Sequence, residues 1–254
     1  MLKVTNVSKV YTNESRRVKA IEDLALSIKE GEFVAMVGPS GCGKTTFLKV
    51  IAGLISASHG EVLFDGVKII GPGKERGMVF QGFTLFPWLT VRENIGFGLE
   101  MQKLSRKKKN EITNHYLAIT GLKDFSNAYP KSLSGGMQQR VAIARTLANN
   151  PKILLMDEPF GSLDSQTRSQ MQEFLTKLWE TEHKTILFIT HDVREAIFLA
   201  DKVYVLSERP MHIKKVFTVP FSRPRKRALK RSKEFFEFEG KVELALENNP
   251  QRSS

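Results

Sequence analysis

The sequence predicts an α/β domain built on a mostly parallel sheet, and three observations carry that expectation. After residue 150, short apolar runs alternate with stretches of helical spacing. A glycine-rich loop at 38–45 stands between an apolar strand and a helix, and helical spacing fills the region from about 91 to 149. The 254 residues suit one α/β domain carrying an inserted or appended part.

Taken in order, Leu2–Val7, Leu24–Ile28 and Phe33–Val37 read as short strands, with Glu30-Gly31 as the turn before the last. A helix over Lys44–Ala52 follows, with Gly53 as its terminator. Strand patterns return at Glu61–Phe64, Lys68–Ile70 and Gly77–Phe80. Helical pieces from Val91 to Asn149 are broken by Gly121 and by a loop from Pro130 to Gly136, and read as an inserted helical subdomain. Strands at Ile153–Met156, Ile186–Thr190 and Val203–Leu206 then alternate with helices near Gln166–Thr181 and Val193–Ala200. Residues 1–220 are expected to form the catalytic domain. Residues 221–254 form a basic extension with an amphipathic helix around Phe235–Leu246.

Composition narrows the classes. The 41% hydrophobic content supplies a core, and 26% charged residues argue against membrane burial, so a soluble globular chain is expected. No apolar run approaches the roughly 20 residues of a membrane-crossing helix. The N-terminus shows no secretion signal, and the single cysteine, Cys42, fits a reducing compartment. The net charge of +12 is local: residues 103–109 hold five basic side chains and residues 223–233 hold seven, and without these twelve the chain has 27 basic and 27 acidic residues. The plain reading of each run is a solvated helix face or tail; anionic lipid headgroups are the sharper alternative. A nucleic-acid-binding module is disfavoured by the neutral remainder and by the lack of stacking aromatics beside the runs.

The strongest chemical signal is Gly38-Pro39-Ser40-Gly41-Cys42-Gly43-Lys44-Thr45, the G-x-x-x-x-G-K-[ST] phosphate loop in its required strand–helix context. Glycines let the backbone turn its N–H groups inward around a phosphate chain, and the following helix adds the positive end of its dipole. Lys44 is expected on the β- and γ-phosphates and the Thr45 hydroxyl on Mg²⁺. The strand Ile153–Met156 runs into Asp157 and Glu158. Asp157 suits the metal, and Glu158 is placed to orient and polarise water as general base; taken alone, Glu158 reads better as a surface acid at a strand end, but the phosphate loop upstream makes that the weaker reading.

At Leu133-Ser134-Gly135-Gly136-Met137-Gln138-Gln139-Arg140 the chain resembles the signature of the ABC-type ATPases. Gln81, Gly161-Ser162-Leu163-Asp164 and Thr190-His191-Asp192 follow in that family's order. The resemblance implies a P-loop NTPase core with a mostly parallel sheet, an N-terminal antiparallel β subdomain and an inserted helical subdomain. It further implies two facing nucleotide-binding subunits, a homodimer or a heterodimer with a related ATPase, in which ATP on one phosphate loop is closed over by Ser134, Gly135 and Gly136 of the other. By resemblance Thr46 joins the phosphate contacts, Gln81 senses Mg²⁺ and water, and His191 contacts the γ-phosphate and supports Glu158. Asp164 lies in the loop crossing the dimer, and Tyr11 stacks on adenine, although an aromatic near a strand end is as often simple packing. Met137 departs from the family's usual glutamine, and a thioether is only a weak acceptor.

Within the apolar connection from Phe83 to Ile95, the form Phe86-Pro87-Trp88-Leu89-Thr90-Val91 looks like that of the nitrate/sulfonate/taurine importer branch, as does the tail containing Arg209-Pro210 and Arg223-Pro224-Arg225. That likeness implies an ATP-hydrolysing subunit at the cytoplasmic face of the membrane. Its partners would be transmembrane permease subunits and, indirectly, a periplasmic or surface solute-binding protein; no nucleic acid is expected. A soluble ABC ATPase of DNA repair, translation or cofactor assembly is the rival, as is an ATP-binding protein without turnover.

Overall fold

The computed structural model of this chain describes residues 1–13 and 16–247. Its strands are β1 (Leu2–Asn13), β2 (Arg16–Ile28), β3 (Phe33–Val37), β4 (His59–Phe64), β5 (Val67–Lys68), β6 (Arg76–Val79), β7 (Ile153–Asp157), β8 (Thr185–Thr190), β9 (Lys202–Leu206) and β10 (Ile213–Thr218). Its α-helices are α1 (Lys44–Ala52), α2 (Val91–Glu100), α3 (Arg106–Ile119), α4 (Gly135–Ala148), α5 (Ser165–Glu182), α6 (Val193–Leu199) and α7 (Lys233–Glu247).

Strands β3, β7 and β8 are buried along their whole length, which is why their sequences read as unbroken apolar runs. They lie inside a six-stranded sheet of order β10-β9-β3-β8-β7-β6, parallel except where β10 runs against β9. A second, antiparallel sheet of order β2-β1-β4-β5 covers one side. Alternate residues of each central strand face different cores. Phe33, Ala35, Val37, Leu154, Met156 and Phe188 point to the helical side with α4, α5 and α6. Val34, Met36, Leu155 and Ile189 point to α1 and the antiparallel sheet, against Phe47, Leu48 and Ile51. Each of those three α1 side chains contributes roughly 1.5–3 kcal/mol by leaving water. Register then fixes the functional edge: Val37 lies opposite Thr190, and Asp157 opposite Ile189, so β3, β7 and β8 end level at their carboxyl ends.

Several boundaries differ from the sequence reading. Strands β1 and β2 run well beyond Leu2–Val7 and Leu24–Ile28, because they pair with each other as far as Asn13 and Arg16. Strand β10 was not expected; Lys214 and Lys215 hide its pattern at a sheet edge. Helix α4 starts at Gly135 rather than after Gly136, since the Ser134 side chain accepts from Met137 N at 3.3 Å and caps it.

The basic run at 223–233 is a solvated tail only in part: Lys226, Arg227, Arg231 and Lys233 are exposed, while three of its side chains pack into the fold. The Arg225 side chain is buried, Arg223 stacks 4.0 Å from the Trp179 ring centroid, and Lys230 donates to Gln172. Phe235 and Val242 of α7 are fully buried in the helical-side core. In the 103–109 run, Lys103, Arg106, Lys107 and Lys108 are exposed, as a solvated face requires, while Lys109 pairs with Glu100 at 2.7 Å. No helix among the described residues is long and apolar enough to cross a membrane.

Candidate active site

The phosphate loop leaves β3 at Gly38 and enters α1 at Lys44. Gly43 has φ 131, and a Cβ there would stand 2.7 Å from the Ala20 carbonyl oxygen, so only glycine fits. The Lys44 ammonium is buried. It donates to Gly38 O at 2.8 Å and Pro39 O at 2.9 Å, which ties the loop into a ring, and it faces Glu158 Oε1 at 3.6 Å. Ser40 and Gly41 form the exposed apex, and Cys42 is buried against the core, where burial pushes its thiol pKa up.

A cavity of about 280 Å³ under β4 and β5 lies away from this loop, whereas a cavity of about 220 Å³ opens directly on it. Tyr11, Gly43, Lys44, Thr46, Glu158 and Arg209 are among the residues lining the latter. Tyr11 is 42% exposed, its hydroxyl 3.5 Å from Thr46 Oγ1, so its ring is open on one side and anchored on the other. Arg209, in the sequence only a branch marker, braces the loop. Its guanidinium donates to Gly41 O at 3.2 Å from Nε and 2.6 Å from Nη2, bracing the apex of the loop.

The acids arrive from β7. Thr45 Oγ1 donates to Asp157 Oδ1 at 3.1 Å, bringing together the two side chains expected at the metal. Burial pushes the Asp157 pKa up, and the Thr45 hydroxyl opposes this. No cluster of three His, Cys, Asp or Glu side chains that could cage a metal occurs among the described residues. The donor set, one carboxylate and one hydroxyl, fits a Mg²⁺ that takes its remaining oxygens from phosphates and water.

Glu158 follows with φ 42, a left-handed backbone that is costly for a side-chain-bearing residue and that turns its carboxylate back over the loop. Its N–H donates to Ile189 O at 2.9 Å. Its Oε2 lies 2.8 Å from His191 Nδ1, and since a carboxylate only accepts, Nδ1 carries the proton. Lys44, Glu158 and His191, far apart in sequence, thus converge at the ends of three adjacent strands. Gln81 stands at the margin, its Nε2 3.8 Å from the position of a Cβ on Gly161.

The signature residues lie elsewhere. Ser134, Gly135 and Gly136 are not among the residues lining the phosphate-loop cavity. Ser134 is exposed, and the free N–H groups at the start of α4 make a ready anion site. Gly136 is held close to α5, where a Cβ would meet Thr167 Cγ2 at 2.7 Å. Asp164 caps α5, accepting from Gln166 N at 3.0 Å and Thr167 N at 2.9 Å; these bonds lower its carboxyl pKa. Arg168, missed in the sequence, braces that loop by donating to Phe160 O and Leu163 O. A groove of about 430 Å³ runs past Thr84, Phe86, Phe97 and Arg145, and Trp88 nearby is 70% exposed.

A family model described as ABC transporter matches residues 21–161. The chain is 47% identical over 251 residues to the nitrate import ATP-binding protein NrtD of Synechocystis sp., covering 96% of this chain and 94% of that protein. It is 44% identical over 239 residues to the aliphatic sulfonates import ATP-binding protein SsuB of Bacillus cereus, covering 94% and 93%. Among solved structures, a dimeric ATP-binding cassette in a post-hydrolysis state, bound to ADP and Pi, aligns with TM-score 0.76 at 36% identity over 87% of this chain and 100% of that chain.

Proposed function

The chain belongs to the ABC transporter ATP-binding family, as an ATPase of its importer relatives, and from that membership we propose which residues hydrolyse ATP and what the hydrolysis drives. Backbone N–H groups of the loop from Gly38 to Thr46 cradle the phosphates, Tyr11 stacks on the base, and Lys44 holds the β- and γ-phosphates. Thr45 and Asp157 hold Mg²⁺, with Gln81 beside them; the ion supplies charge compensation for the phosphates. Glu158 accepts a proton from the attacking water as its oxygen bonds to the γ-phosphorus and the bridging oxygen leaves with ADP. His191 steadies Glu158 through Nδ1 and turns Nε2 toward the γ-phosphate.

The observation that carries this reading is the Glu158 carboxylate, strained in backbone, 2.8 Å from His191 and 3.6 Å from Lys44. Glu158→Gln should keep ATP binding and lose turnover by about 10²-fold or more. Wild-type turnover in that variant would overturn the base assignment.

Because Ser134, Gly135 and Gly136 lie outside the cavity of their own chain, a second copy supplies them, closing over ATP from the opposite side with Asp164 at the seam. The groove at Phe86 and Phe97, with Trp88 at its side, receives a segment of the membrane permease, so that closure of the dimer moves the permease. The chain would then sit peripherally on the cytoplasmic face. The names of its relatives support import of a small anion such as nitrate, sulfonate or taurine, delivered by a solute-binding protein.

A further inference from the structure

A chain of polar side chains links the C-terminal segment to Thr190 and Asp192, the residues on either side of His191. Lys230, on a 3-10 turn spanning Arg227–Arg231, donates its ammonium to Gln172 Oε1 on α5 and lies 4.2 Å from the Phe198 ring centroid. Gln172 Nε2 donates to Glu195 Oε1 on α6 at 2.9 Å. Glu195 Oε2 accepts from Thr190 Oγ1 at 2.6 Å, and Thr190 Oγ1 in turn accepts from Asp192 N at 3.0 Å, a bond that spans His191. Asp192 Oδ1 closes the turn by accepting from Glu195 N at 2.9 Å. Gln172 and Glu195 are each only 4% exposed.

The direction of every bond follows from its first member. An ammonium only donates, so the Gln172 oxygen must face Lys230 and its NH₂ must face Glu195. A carboxylate only accepts, so the Thr190 hydroxyl gives its hydrogen to Glu195 and keeps a lone pair for Asp192 N. Burial works against charge at both ends, raising the Glu195 carboxyl pKa and lowering that of the Lys230 ammonium. At Glu195 the bonds from Thr190 and Gln172 offset part of this, and at Lys230 the carboxylates of Asp192 and Glu195 do. With the donor at 230 removed, the Gln172 oxygen is left without that partner and the amide loses the contact that holds it against Glu195, so the support of the Thr190-His191-Asp192 turn loosens.

We infer that Lys230 is a positioning residue for ATP hydrolysis: through Gln172, Glu195 and Thr190 it holds the turn that aims His191 at Glu158, making residues 221–247 a working part of the catalytic unit. This rests on the proposed role of His191 and extends it to a segment more than thirty residues downstream, as the numbering shows.

The test uses the full chain and the variants Lys230→Met, Gln172→Met, Lys230→Arg and His191→Ala, comparing kcat and KM for ATP with the midpoint of urea unfolding. Lys230→Met and Gln172→Met should each lower kcat about tenfold while ATP KM stays within about twofold. Lys230→Arg, which restores a donor-only group, should recover most of the rate, and the double Lys230→Met/Gln172→Met variant should be no slower than either single one. Wild-type kcat in both methionine variants beside a slow His191→Ala overturns the relay alone. A loss that Lys230→Arg does not restore, or one shared equally by kcat and KM, also overturns it by reducing Lys230 to a packing role. Wild-type turnover in His191→Ala instead overturns the reading of the site beneath it.

Discussion

Replacing Arg225 by methionine would measure how firmly the C-terminal segment is built into the fold. The residue is 6% exposed; Nη1 donates to Ile197 O at 3.0 Å, Phe198 O at 3.1 Å and Ala200 O at 2.7 Å, and Nε to Phe221 O at 3.0 Å. Three of these carbonyls end α6, where no further turn of helix exists to receive them. Methionine keeps much of the volume and supplies no donor. Two Nη1 hydrogens serve three acceptors, so about three full bonds are lost, and a buried acceptor left bare costs roughly 1–3 kcal/mol. Fraying of the last turn of α6 toward water recovers part of that, leaving about 3–5 kcal/mol, a large fraction of the roughly 5–15 kcal/mol that stabilises a domain. Equilibrium urea unfolding of the full chain reads the change directly. A shift below about 0.5 kcal/mol, the size expected of a solvated surface arginine, would refute the assignment of this residue to the core.

Two predictions concern the phosphate loop. Gly43→Ala puts a Cβ 2.7 Å from Ala20 O at φ 131, so the loop must shift out of its phosphate-cradling geometry, and calorimetric titration should show ATP affinity reduced more than about hundredfold; wild-type affinity would contradict the loop geometry. At Cys42 burial raises the thiol pKa, so less thiolate is present at neutral pH than for a free cysteine, and maleimide labelling should be slow there and quicken as pH rises. Labelled chain should fail to bind ATP, because Cys42 Sγ already lies 3.4 Å from where a Cβ on Gly38 would project. Rapid labelling at neutral pH with full ATPase activity would contradict both statements.

What the sequence discloses is whatever chemistry is written contiguously. Gly38 to Thr45 identify the phosphate loop because strand, loop and helix are adjacent in the chain, and β3, β7 and β8 declare themselves by apolar runs that match burial on both faces. The convergence of Lys44, Glu158 and His191 is different: it depends on the strand order β3-β8-β7, which no local pattern encodes. Arg225 and Lys230 were misread for a related reason. A dense basic run looks solvated by composition, yet the groups they satisfy lie 25–28 residues away for the α6 carbonyls and 58 residues away for Gln172. Arg209 gave no chemical signal either, since bracing Gly41 O requires the β9–β10 connection to fold back over the loop, and β10 itself was hidden by its lysines.

The central claim is that ATP is enclosed between two copies of this chain, each lending Ser134 and its neighbours to the other's phosphate loop. The most direct measurement is the solution mass of the Glu158→Gln chain by light scattering, with and without ATP. The account predicts twice the 28.7 kDa chain mass with ATP, and a single chain mass when Lys44→Ala is added or ATP is withheld. A Glu158→Gln chain that binds ATP at full occupancy and still runs at 28.7 kDa would contradict it.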